Sequence, residues 1–433
     1  EGTMKDGTAP ARFLWLPPAL RPPETMTWRQ ELVLLLVGSA MLFSGFDMTV
    51  FGLAIPQIQV SFAIPEDKAA LTVSYFRLAA IVALAVCGLA DFVGRRRLLL
   101  ITIAGQAVGT LLTAFTQDYT QFVWAQVLTR VFGYAEEMLC VVVIVEEVGR
   151  GARGWANGTL SAMNYFGAGL ASLLFAAITI LPHGWRSLYV IGALSLALVA
   201  WLRRSLPETD RFTASEGAAV YGGRMRQTLD LLRRIATEYP GRLMAILAAV
   251  GGFGFATAAA YVLTSKYLQS EQHFTPGEVT MLIVPGGLIG LALTITAGRL
   301  SDRLGRKRMA MAATAVAGLC FAGFYGGATG WMIPPLWVLG FAGYFTAEAL
   351  MAGYAVEIVP TAYRATVSGL RYLVEIGAGA LALALEGVLY TALGSHGAAI
   401  QALLLALPIT LIALLLLPEP AGRSLEEMAG GRR

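Results

Sequence analysis

Eight charged residues stand inside long apolar runs of this sequence: Asp47, Arg77, Arg130, Glu136, Glu137, Glu348, Glu375 and Glu386. Charge at membrane depth costs several kcal/mol, so such side chains are expected to face the interior of a bundle and mark a path for ions or protons. A helix rise of 1.5 Å per residue puts Asp47 roughly 20 Å from the inner start of its helix, Arg130 roughly 15 Å from the outer start of its own, and Arg77 roughly 12 Å from the outer start of another. All three then share one slab. A carboxylate facing a guanidinium releases it on taking up a proton, which is coupling chemistry. The competing reading is a permanent buried pair with an architectural role.

Glu137 lies two helical turns beyond Arg130 on the same face, suited to relaying protons or meeting a substrate amine, or else bonded to a neighbouring hydroxyl. Glu136 points about 100° away and is the poorer cavity candidate. Glu375 offers an acid to a cationic substrate unless Arg371, one turn earlier, neutralises it. The acids outnumber Arg77 and Arg130, so the sequence favours a cation or zwitterion over an organic acid. Phe43, Phe51, Tyr165, Phe255, Tyr261 and Tyr344 are candidate cation–π partners, with Asn164 beside them as a polar contact; each aromatic also suits packing or a lipid-facing position.

The elements that must position these residues follow from composition. The 433 residues are 56% hydrophobic and 14% charged, with mean hydropathy +0.64, whereas a soluble domain carries about 25% charged residues. Apolar runs of spanning length fall near 31–58, 69–90, 97–117, 120–147, 155–181 and 186–204. A second set falls near 242–268, 277–298, 309–328, 331–357, 364–392 and 397–417. The fold class is an all-α membrane protein of twelve transmembrane helices in two six-helix bundles. Residues 1–28 read as a cytoplasmic lead, 29–206 as the first bundle, 207–240 as a linker with an amphipathic helix, 241–418 as the second bundle and 419–433 as a cytoplasmic tail. Arg95, Arg96, Arg97, Arg150, Arg153, Arg303, Arg306, Lys307 and Arg308 gather on one side, against Lys68, Arg186 and Lys266 on the other. Both termini are therefore expected in the cytoplasm, with the chain in the inner or plasma membrane as a monomer.

Several function classes are excluded. Cys87, Cys140 and Cys320 lack metal or redox spacing, and His183, His273 and His396 fall in or beside connections, reading as surface imidazoles. No cofactor, metal site or catalytic residue is expected. The net charge of +4 marks a membrane face and no nucleic acid. There is no phosphate-binding G-x-x-x-x-G-K-[ST] loop and no T-V-G-Y-G filter. The partners expected are a small organic ion, protons and the bilayer.

The chain repeats itself. "GLADFVGRRR" from Gly88 returns as "GRLSDRLGRKR" from Gly298, and Asp302 minus Asp91 gives an offset of 211. The same offset relates Gly94 to Gly305, Glu137 to Glu348, Glu146 to Glu357 and Arg153 to Arg364. One register held from the second span to the sixth means two homologous halves, an arrangement of secondary transporters.

These motifs resemble those of the major facilitator superfamily, and the resemblance covers the chain from about residue 30. It implies proton-coupled transport by alternating access. By resemblance, Asp91, Gly94, Arg95, Arg96, Asp302, Gly305, Arg306 and Lys307 form the paired cytoplasmic loops, and Glu146, Arg153, Glu357 and Arg364 a charge network that gates them. "GFD" at Asp47 resembles the first-helix motif of proton-coupled sugar porters and the second aspartate of the aromatic-acid symporter motif, with Ser44 replacing the first. Arg130 resembles the fourth-helix arginine that pairs with that aspartate. The eleventh-helix segment around Glu375 resembles that of organic cation carriers. The seventh helix lacks the glutamine pair of sugar porters. A sensor that kept this fold and lost transport is the reading from a different class.

Overall fold

The computed structural model describes residues 21–22, 24–89, 93–148, 152–205, 221–360 and 363–418. The first helices in chain order are α1 Trp28–Phe62, α2 Glu66–Gly88, α3 Arg95–Phe115, α4 Tyr119–Glu147, α5 Arg153–Ala176 and α6 Trp185–Leu202. After α7 (Tyr221–Glu238) come α8 Pro240–Val262, α9 Thr264–Ser270, α10 Pro276–Leu304, α11 Arg306–Tyr325, α12 Ile333–Glu357, α13 Arg364–Leu393, α14 His396–Leu404 and α15 Leu407–Leu416. Eleven segments among the described residues are long and apolar enough to cross a membrane. The twelfth expected span is α4, which carries Arg130, Glu136 and Glu137 within its 29 residues. Continuous helices satisfy their own backbone groups in lipid, which is why an apolar chain of this kind folds this way.

Two expected spans are interrupted. The seventh is divided between α8 and α9 at Leu263, and the twelfth between α14 and α15 ahead of Pro408. A proline there has no N–H to continue the preceding turn. The amphipathic linker helix is present as α7, with Ile235 buried while Arg233 and Arg234 are exposed.

Contacts divide the chain into two units, Glu1–Ala54 with Ala79–Ala219, and Ile55–Leu78 with Val220–Arg433. The C-terminal part of α1 and the N-terminal part of α2 thus group with the second unit. Pro56, which cannot donate to the helical ladder, follows the point where α1 changes unit. In the first unit Val33, Leu34, Val37 and Met41 of α1 pack on Leu139, Val143 and Ile144 of α4 and on Ala156 and Leu160 of α5. Packing of this kind, rather than expulsion of water, drives helix association in lipid.

The repeat is visible in backbone geometry. Gly94 (φ 94°, ψ 146°) and Gly305 (φ 98°, ψ 137°) make the same turn, in a region of φ that favours glycine. The residues before α4 and its partner segment, Asp118 and Thr329, match at φ −133° and −132°. Those before α5 and α13, Ala152 and Tyr363, match at φ −104° and −100°. Arg96 donates to the Arg204 carbonyl at 2.6 Å, and its mate Lys307 donates to the Leu415 carbonyl at 2.8 Å. Both donor and acceptor are related by 211 residues.

Candidate functional site

In the first unit, α1 brings Asp47 against α3. The aspartate is only 1% exposed; Thr110 Oγ1 donates to it at 2.9 Å and Gln106 Nε2 at 3.5 Å. Thr102, Gln106 and Thr110 recur every four residues, so one face of α3 presents all three to the bundle interior. The Arg130 charge on α4 bears on Asp47. Its guanidinium also donates to the Met48 carbonyl at 3.3 Å, to the Met48 sulfur, and to Gln126 Oε1 at 3.4 Å. α1, α3 and α4 thus bring Arg130 within electrostatic reach of Asp47, with hydrogen bonds of the guanidinium going to Met48 and Gln126.

Glu137 joins the same network. It accepts from Ser44 Oγ at 3.2 Å and from Asn164 Nδ2 at 3.2 Å, while Gln106 Nε2 reaches Ser44 Oγ at 3.4 Å. Gln106 and Ser44 thus form a continuous polar bridge between the two acids. Ser44, where an aspartate stands in the aromatic-acid symporter motif, supplies a hydroxyl to that bridge. Gly45 allows it: a methyl group there would collide with the Asn164 carbonyl, so α5 approaches α1 closely enough for Asn164 to reach Glu137.

Glu136 points elsewhere, as its angular position implies. It is fully buried with Arg203, which also donates to the Leu36 carbonyl at 3.0 Å and the Val37 carbonyl at 3.4 Å. Thr102 Oγ1 donates to the other carboxylate oxygen. Sequence reasoning missed Arg203 because "WLRRS" reads as an ordinary basic flank of a span. The signal available was Glu136 itself, a buried acid in need of a cation.

In the second unit the acids sit on α12 and α13. Arg371 pairs with Glu375 at 2.8 Å, so the neutralising alternative is the one realised. Arg77, expected beside Asp47, belongs to this unit. Its guanidinium lies over Gly379, where a methyl group would collide with Nη1, and its charge bears on Glu348 and Glu375. Tyr344 is sandwiched between Phe253 at 5.4 Å and Tyr261 at 5.2 Å, with interplanar angles of 19° and 14°.

The other aromatics divide. Phe51 is buried against Phe122 at 5.9 Å, and Phe43 packs beside the Ala40, Ile103 and Leu196 cluster, so both serve the core of the first unit. Tyr165 is 45% exposed. His396, read as a surface imidazole, is instead buried between carboxylates. Burial of an imidazole is affordable where both ring nitrogens have partners.

At the loops, Arg95 pairs with Glu146 at 3.2 Å, and Arg306 lies over Gly353. Arg364 opens α13. Asp91 and the side chains of Arg153, Asp302 and Glu357 lie outside the described residues.

Paired six-helix repeats with buried charge between the helices define the class as a membrane transporter. Residues 37–379 match the Major Facilitator Superfamily, and the chain belongs to it. It is 28% identical to a gallate transporter of Pseudomonas putida over 382 residues, covering 80% of this chain and 82% of that protein. It is 26% identical to a citrate-proton symporter of Klebsiella pneumoniae over 66% of this chain and 67% of that protein. The crystal structure of a D-xylose-proton symporter superposes with a TM-score of 0.73 at 16% identity, covering 91% of this chain and 99% of that one. The protein is a multi-pass secondary transporter and not an enzyme.

Proposed function

We propose that this transporter moves a small organic acid together with protons, with an aromatic acid as the first candidate, and that Asp47, Arg130 and Glu137 are its coupling residues. The observation that carries the substrate class is the Arg371–Glu375 pair. The sequence argument for a cation rests on an excess of buried acids. Glu375 is matched by Arg371, Glu136 by Arg203 and Glu386 by His396. Asp47, Glu137 and Glu348 then stand against Arg77 and Arg130, and protons taken up by the acids leave arginines to attract a carboxylate. The names of the relatives point the same way, since gallate, citrate and 3-(3-hydroxy-phenyl)propionate are all acid anions. The Phe253–Tyr344–Tyr261 stack offers ring faces in the unit that also holds Arg77.

Coupling follows from the charge balance at Asp47. When Asp47 takes a proton, the field it exerts on Arg130 is removed, and the guanidinium keeps its Met48 and Gln126 contacts with less of its positive charge balanced. The Gln106–Ser44 bridge then transmits the change of charge to Glu137. The paired Gly94 and Gly305 loops and the Arg95–Glu146 pair support a gating role for the motif residues, on the side where the arginines place the cytoplasm.

A second reading keeps the cation or zwitterion. Glu348 makes no hydrogen bond or ion pair among the described residues and lies one turn from Tyr344, an arrangement that suits an ammonium. Counterflow in proteoliposomes loaded in turn with aromatic acids, tricarboxylates, organic cations and sugars separates the two. Exchange with aromatic acids is expected; exchange with cations alone transfers the assignment to the second reading, and no exchange with any of them favours a sensor.

A further inference from the structure

At the end of the second unit opposite the Gly305 loop, four charged groups are gathered from four helices. His396, at the start of α14, places Nδ1 2.7 Å from Glu386 of α13 and Nε2 3.4 Å from Glu66 in the first turn of α2. Lys266 of α9 pairs with the same Glu66 at 2.7 Å. The imidazole and Glu386 are buried, whereas the Glu66 side chain is 45% exposed. Glu271 accepts from the backbone N–H groups of His396 and Gly397 and from Ser395 Oγ, and the Tyr390 ring stacks on the imidazole at 4.3 Å. Tyr267 lies against Gly397 on the same side.

Both ring nitrogens therefore face carboxylate oxygens. A neutral imidazole has one N–H and can donate to only one of them; the imidazolium donates to both. With that proton in place the two acids are matched by His396 and Lys266. Without it, the ring keeps its one N–H for the buried Glu386, and the contact with Glu66 becomes an acceptor facing an acceptor. We propose that Glu66, His396 and Glu386 form a second proton-binding site, separate from Asp47, whose occupied form pins the first turn of α2 to α13 and α14. Glu66 gives the site its contact with solvent.

The mechanical consequence lies in what is pinned. Residues 55–78 are the stretch of the first hairpin that groups with the second unit. They are held there by Gln57 donating to Gln269 at 2.6 Å, by Ser74 donating to the Ala380 carbonyl at 2.7 Å, by Lys266 on Glu66, and by His396 on Glu66. At Gly387 the α13 backbone lies so near the Asp67 carbonyl that a methyl group would collide with it, so α2 has its first turn directly on α13, next to Glu386. Among these ties, only the imidazole link gains or loses a charge near neutral pH. Loss of its proton frees the first turn of α2 from α14 and leaves the other ties in place.

The test uses the full-length protein in nanodiscs. His183 and His273 are exposed, so His183→Gln with His273→Asn leaves His396 as the single imidazole for ¹⁵N NMR. Imidazolium shifts for both ring nitrogens at neutral pH are expected; the split shifts of a neutral tautomer would overturn the site. Hydrogen exchange of residues 64–72, corrected for intrinsic rate, reads the latch. Protection should fall several-fold between neutral and alkaline pH, and His396→Gln should be weakly protected and indifferent to pH. An imidazolium whose deprotonation leaves that protection unchanged overturns the latch.

Discussion

Superimposed through the 211-residue offset, the two halves agree in their loops and disagree in their interiors. Where the first half has Asp47, Gln106, Thr110 and Arg130, the second has Ala258, Ala317, Phe321 and Phe341, all buried. Phe321 and Phe341 meet edge to face at 5.3 Å. Where the first half has Glu136, Thr102 and Arg203, the second has Ala347, Ala313 and Leu414. One half therefore reaches this fold with apolar packing at the positions where the other spends buried charge. Charge that the fold does not require is retained for another reason, and transport coupling is the reason proposed for the Asp47 set. The acid that both halves keep, Glu137 with Glu348, is the exception.

The comparison is broken most strongly at Arg203. Replacing it alone by leucine strands the Glu136 charge, and a loss of about 3–5 kcal/mol is expected in thermal or denaturant unfolding of the solubilised protein. Adding Glu136→Ala copies the apolar pair of the second half and should recover most of that loss. Failure of the double variant to recover would mean the ion pair is structural in its own right.

The converse change is Ala347→Glu, which places an acid at the buried mate of Glu136, with alanine and leucine at the mates of Thr102 and Arg203. A cost of about 2.5–3.5 kcal/mol is expected, read as lowered stability and yield. An unchanged midpoint would show that the second half tolerates charge at this depth, and the contrast between the halves would lose its meaning.

The shared features should respond alike. Gly94→Ala and Gly305→Ala each force a side chain into a conformation that disfavours it, at about 1–3 kcal/mol. Similar losses from the two substitutions sharpen the reading of the loops as one structural device used twice; a loss confined to one would assign that loop a separate role.

The fold was legible because hydropathy marks spans and the glycine-containing loop motif fixes the register of the repeat. The breaks at Leu263 and before Pro408 were not: an apolar run continues through the second, and Thr264, Ser265 and Lys266 after the first read as the polar end of one span. At the site, Asp47, Arg130 and Glu137 emerged from charge at depth and from the first-helix motif, and Asn164 only as a polar contact beside the candidate aromatics. Arg77 was misplaced because depth says nothing about azimuth: it lies over Gly379 in the second unit. The four-residue spacing of Thr102, Gln106 and Thr110 was present in the sequence, yet hydroxyls and amides are common in spanning helices and attract notice only once an acid is seen against them. Arg203, Lys266 and His396 sit at span ends, where a charged or polar residue ordinarily reaches water, yet all three turn inward and are buried.

The central claim is that Asp47 couples proton uptake to transport while its apolar mate does not. Asp47→Asn keeps the size of the side chain and removes its ionisation, and its direct test is paired uptake in proteoliposomes, with and without an imposed pH gradient. The account predicts that gradient-driven accumulation is lost while substrate counterflow continues; accumulation at the level of the unmodified protein would contradict it.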